Sequence, residues 1–385
     1  MDTALSLAAQ RTRLAQVLPV GMQCMALLGA ATTLYGPSLI YLSEETGRTP
    51  ASLGALFVFH WFGFFASTFA ANRVARRFEM RRSVLIGVAL LGAGVLGLVA
   101  LPNPLNVASA LLVGLGAGML EVVLNRLIEL LAGDEPATAL TKLHSTWGVG
   151  AVIIPLVVAG VVWLGWGWRV AGWVVLAGAV FTAALAFRWP EFEVDHGADV
   201  QWSGFPWRST ALFVALFMIY VGLETAVGGW ATTFFSKIGQ GAFLGAFATS
   251  FFFLTFSVAR MTLAAATDRL GFARSVRMGT GLGALALMLT FFPSLALIGF
   301  GLAGIAFSIV FPTMLAWAAR RHPGLRAQMA SVSIAAAGLG GVSLPYLIGQ
   351  GVEAFGASSL TPMLIAAALA VFALTFLEHE ASPRP

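Results

Sequence analysis

Charge is what this sequence has least of. Only 10% of its 385 residues are Asp, Glu, Lys or Arg, against roughly a quarter in soluble domains, while 58% are hydrophobic. Such a chain cannot clothe itself in polar surface, which excludes a water-soluble globule and points to a multi-pass membrane protein. Cysteine is nearly absent too. Cys24 stands alone in an apolar run, so no disulfide framework can form. The sequence has no Cys/His cluster with metal-ligand spacing, no G-x-x-x-x-G-K loop for nucleotide phosphates and no nucleophile–base constellation. No metal, cofactor or enzyme activity is therefore expected. The opening MDTALSLAAQRTRLAQ lacks the apolar core of a cleavable signal, so the first spanning helix is expected to direct insertion.

Apolar stretches of about 20 residues, the length that crosses a bilayer, fall near 17–42, 51–73, 83–101, 106–131, 141–164, 169–188, 209–235, 243–265, 274–292, 294–319, 327–352 and 358–378. With the N-terminus inside, the loops on the inner side collect Arg76, Arg77, Arg81, Arg82, Arg274, Arg277, Arg320 and Arg321. The outer loops hold only Arg48, Arg169 and Lys237. Short cytoplasmic loops retain cations, so both termini are expected to be cytoplasmic in a plasma (inner) membrane protein. The net charge of +5 then describes topology and not a nucleic-acid partner.

The spans repeat. RRFEMRRSV from Arg76 aligns with DRLGFARSV from Asp268 at an offset of 192, and GVGAVIIP from Gly148 aligns with GLGGVSLP from Gly338 at an offset of 190. The expected fold is an all-α membrane protein with twelve transmembrane helices in two pseudo-symmetric six-helix bundles. The bundles are 1–188 and 209–385, joined by a cytoplasmic linker at 189–208, with a binding site at mid-depth.

Two carboxylates stand where a carboxylate is hardest to keep. Glu121 and Glu224 lie near the middle of spans, where an ionised group costs about 3 kcal/mol on insertion scales and normally serves a transport or proton pathway. Asn125 lies four residues after Glu121, on the same helical face, and Glu121 is the candidate proton-coupling acid. Its alternative is a fixed partner of Arg126. Glu224 is followed by Gly228, Gly229 and Trp230, a set suited to a hydroxyl-rich ligand: a carboxylate bonds hydroxyls, and an indole packs on a sugar's C–H face. The alternative there is a bonded glutamate amid close-packed helices. His60, in the second span, is either a proton relay or a packing residue. His144, Trp147, Thr33 and Tyr35 are candidate cavity residues, although a membrane threonine often bonds only its own backbone.

ATDRLGFAR, with Asp268, Arg269 and Gly271 between the eighth and ninth spans, resembles the loop signature of the major facilitator superfamily. The first copy departs from it, with Arg76 at the acid's place and Glu79 at the glycine's. The resemblance implies a gating latch in which Asp268, beside Arg269, caps a helix end or meets an arginine such as Arg260. GLGAGMLEVVLN, LHSTWGVGAVIIP and YVGLETAVGGW are similar to the fucose–galactose–glucose:proton symporter branch and its sodium-dependent glucose relatives. That branch implies proton coupling at Glu121. The first span, GAATTLYGPSLIYL, lacks the aspartate found there in the L-fucose carrier, which argues against fucose.

The sequence thus reads as a monomeric secondary transporter importing a small hydrophilic solute, a hexose-like sugar, with a proton, or with sodium in its place. Two alternatives are an exporter of drugs or lipid-like amphiphiles, suggested by 30 phenylalanines, and a non-transporting membrane sensor or scaffold.

Overall fold

The structure, a computed structural model, describes residues 7–132, 136–189 and 203–377. Among them every regular element is a helix: α1 (Leu7–Thr33), α2 (Tyr35–Thr46), α3 (Pro50–Leu53), α4 (Ala55–Ala100), α5 (Leu105–Ala108), α6 (Ala110–Ala132), α7 (Pro136–Ser145), α8 (Trp147–Trp163), α9 (Arg169–Phe187), α10 (Trp207–Lys237), α11 (Ala242–Leu270), α12 (Phe272–Met288), α13 (Ala296–Phe307), α14 (Val310–Arg321), α15 (Arg326–Phe355) and α16 (Leu360–Leu374), with short 3₁₀ turns between some of them. The reason is the solvent. Hydrocarbon offers no partner to a peptide group, so a single span must satisfy its own backbone as a helix. Eleven helical stretches among the described residues are long and apolar enough to cross a membrane. The expected ninth span, 274–292, forms α12, whose 17 residues are not among the eleven.

Several spans are interrupted rather than straight. α1 gives way to α2 at Leu34, α7 to α8 at Thr146, and α13 to α14 at Ser308 and Ile309. Proline accounts for the first and last. A proline removes one backbone donor and crowds the carbonyl four residues earlier, which is Thr33 for Pro37 and Ser308 for Pro312. α4 is kinked at Glu79, whose backbone adopts φ 65°, ψ 164°.

Packing divides the chain into two compact units. The first comprises Met1–Ser38 and Phe59–Ala198, the second Leu39–Val58 and Asp199–Pro385. Within the first, α1 packs on α6, α8 and α9; within the second, α10 packs on α11, α15 and α16, and α12 on α13. The helices approach closely at small residues, and the two units repeat the same contacts. A Cβ at Gly150 of α8 would run into the Ala26 carbonyl of α1, and one at Gly340 of α15 into the Met218 carbonyl of α10. Likewise Gly114 of α6 abuts the His60 carbonyl of α4, and Gly304 of α13 the Phe252 carbonyl of α11. Each member of these pairs lies 190 or 192 residues from its counterpart. The repeat extends to the backbone: Gly271, 192 residues after Glu79, has φ 81°, ψ 158°.

Of the expected linker, residues 190–202 lie outside the described ones. Its flanks are packed: Trp189 is buried and its carbonyl accepts from Arg81 Nη1 at 3.0 Å, while the Phe205 and Trp207 rings meet edge to face at 4.6 Å.

Candidate functional site

In the first unit the structure brings together three of the residues singled out from the sequence. Glu121 and Asn125 stand one turn apart on α6, and Asn125 Nδ2 donates to Glu121 Oε1 at 3.2 Å. From the last turn of α7, His144 Nε2 lies 2.8 Å from Asn125 Oδ1. The opposite ring nitrogen, Nδ1, faces Glu121 Oε1 at 3.9 Å, and neither side chain is fully covered by protein, with 39% of His144 and 21% of Glu121 exposed. The network assigns the tautomer. Because the Asn125 amide gives its N–H to Glu121, its oxygen must accept, so Nε2 carries the hydrogen between them and Nδ1 is the nitrogen turned to the carboxyl group. Glu121 and His144 can therefore hold one proton between them, with Asn125 fixing both.

The remaining candidates of this unit are engaged elsewhere. The Thr33 hydroxyl donates to the Gly29 carbonyl of its own helix at 2.8 Å. The Tyr35 hydroxyl and His60 Nδ1 lie 3.2 Å apart, both groups buried, with the rings edge to face at 5.4 Å. This joins the break in α1–α2 to α4. Trp147 opens α8, and its carbonyl lies against Gly29 of α1.

In the second unit Glu224 of α10 is half-buried, electrostatically coupled to the Tyr220 hydroxyl one turn earlier and to the Arg260 guanidinium of α11. Tyr220 donates to the Phe307 carbonyl at 2.6 Å. Arg260 Nε donates to the Ser308 carbonyl at 3.0 Å, and its guanidinium lies over the Phe256 ring at 4.3 Å. These two carbonyls are at the α13–α14 break. Pro312 cannot donate to Ser308, and Arg260 supplies the missing donor. Tyr220 and this break carried no role in the sequence reading, although Pro312 was the signal for the break.

Trp230 is sealed in. Only 1% exposed, it donates its indole N–H to the Pro345 carbonyl at 2.9 Å. Its ring fills the space beside Gly349 and Gly54 and meets Phe57 at 6.3 Å. Its indole face is thus given to packing rather than open to a ligand. Of the expected latch, Arg260 is turned to Ser308 and Arg269 is exposed, while the side chain of Asp268 lies outside the described residues.

A family described as the Major Facilitator Superfamily matches residues 22–235. Among solved structures, a mutant form of the nucleoside transporter NupG superposes with a TM-score of 0.80 at 13% identity, covering 94% of this chain and 99% of that one. A D-xylose-proton symporter gives 0.76 at 16%, covering 94% and 97%, and FucP in its outward conformation 0.65 at 16%, covering 94% and 99%. At such identities the likeness speaks for the fold alone. No curated protein sequence matches the chain.

Proposed function

Because the chain belongs to the Major Facilitator Superfamily, we propose that it is an alternating-access importer that couples entry of a hexose-like sugar to a proton, with Glu121 as the coupling acid. It would do so as twelve helices in two six-helix bundles, 1–188 and 209–385, in the plasma (inner) membrane with both termini cytoplasmic. The observation that carries the reading is the Glu121–Asn125–His144 network. An acid and an imidazole, both partly exposed, stand close enough to share one proton beside an amide that orients them. Substrate bound beside such a group alters its protonation, and protonation alters substrate affinity by the same factor.

The driving force suffices. A proton crossing about 100 mV contributes about 2.3 kcal/mol, enough to concentrate a neutral solute roughly 50-fold. The fold-sharing structures include carriers of nucleosides and of xylose, so the decisive experiment is counterflow in liposomes with hexoses, pentoses and nucleosides, with and without a pH gradient. Sugar exchange that becomes uphill uptake under an inward proton gradient is the expected result. Flux of nucleosides alone overturns the hexose assignment, and flux indifferent to the gradient overturns proton coupling.

A further inference from the structure

We propose that Arg260, Tyr220 and Glu224, gathered at the α13–α14 break, form a half-site of the second unit for a neutral polyol with two adjacent hydroxyls, Arg260 donating to it and Glu224 accepting from it. The inference rests on the transport reading above. It moves Arg260 from the gating latch to the substrate.

Arg260 is held in one orientation by two contacts: Nε is committed to the Ser308 carbonyl and the guanidinium plane to the Phe256 ring. Its two η amino groups have no hydrogen-bond partner among the described residues, and the side chain is only half-buried. Arginine presents its donors in a rigid fork, so fixing Nε and the plane also fixes where the η donors point. Glu224 is likewise half-buried and makes no ion pair with Arg260 among the described residues. Tyr220, between them in the sequence of contacts, is tied down at the Phe307 carbonyl and keeps this face of α10 against the break.

A fixed donor fork and an acceptor that feel each other's charge without closing into an ion pair among the described residues select their ligand by charge. An anion is drawn to Arg260 but repelled by Glu224, and a cation meets the reverse. A hydroxyl both accepts and donates, so neighbouring hydroxyls on one carbon chain satisfy both groups without a net charge, whereas an amphiphile with no such pair leaves both unsatisfied in a low-dielectric site.

The test uses the full-length purified protein and two readouts, direct binding by thermal stabilisation and counterflow in liposomes. The ligands are hexoses, their monodeoxy analogues, and ribo- and deoxyribonucleosides. Wild type is expected to bind the intact diol at least about tenfold more tightly than the analogue lacking one hydroxyl. Arg260→Lys, which can still reach the Ser308 carbonyl, is expected to raise KM for the diol about tenfold with the turnover rate largely kept, and to erase the preference over the deoxy analogue. Glu224→Gln provides the same comparison if the arginine variant misfolds. A turnover defect at unchanged affinity would return Arg260 to a gating role and overturn the half-site. Diol binding without flux would uphold the half-site while removing the transport reading; sugar flux with no change in Arg260→Lys and Glu224→Gln would do the opposite.

Discussion

An L-residue at φ 65° and ψ 164° occupies territory open in practice to glycine alone, at a cost of about 1–3 kcal/mol. Glu79 is held there, and its Oε2 is buried without a hydrogen-bond partner among the described residues. Its counterpart Gly271 takes the same shape without strain. Glu79→Gly should therefore raise the melting temperature of the purified carrier, less the roughly 0.5–1 kcal/mol that glycine's extra chain freedom removes. A lower melting temperature would mean the surroundings do not impose the strain. At Glu121 the expectation concerns coupling: Glu121→Gln should keep downhill exchange and abolish the proton-driven accumulation of up to roughly 50-fold. Intact uphill uptake in that variant would free Glu121 of the role. Residue by residue, the sequence exposed Glu121 and Asn125 through their four-residue spacing. It could not expose Tyr35 with His60, or Trp230 with Pro345, because those partners meet only through tertiary packing.

Hydropathy located the spanning helices because burial in lipid depends on composition alone, and composition is local. The same averaging hid their interruptions. The α13–α14 stretch remains apolar through its break, and only the single residue Pro312 distinguishes it from a continuous helix. Close crossings were similarly veiled, since a glycine in a span looks alike whether it faces a carbonyl or lipid. Two of them separate the cases. Gly114→Ala thrusts a methyl into the His60 carbonyl, and should cost about 1–3 kcal/mol or more by forcing α4 from α6. Gly160→Ala meets nothing within 4 Å, and should be neutral or stabilising by up to about 1 kcal/mol through helix propensity. Thermal unfolding of both variants checks the contrast. Equal behaviour would contradict the close approach of α4 and α6.

At the scale of the molecule, the family, the helical class and the internal repeat were all readable beforehand. Equivalent segments such as GVGAVIIP and GLGGVSLP keep the glycines that each unit needs at the same crossing. The company kept by Leu39–Val58 was not readable. This segment precedes most of the first unit in the chain yet packs within the second. There Phe57 meets Trp230, and Thr49 both caps α3 and donates to Glu353 at 2.9 Å. Separate production of 1–188 and 209–385 should therefore yield a C-terminal piece that proteases digest readily, and co-production of the two should restore resistance. A protease-resistant C-terminal piece on its own would deny the segment that importance.

The borrowed segment has an evolutionary corollary. A chain that arose by doubling one ancestral gene, and whose first half now lends an arm to shield Trp230 in its second, is not expected to be cut back into independent halves without baring that indole.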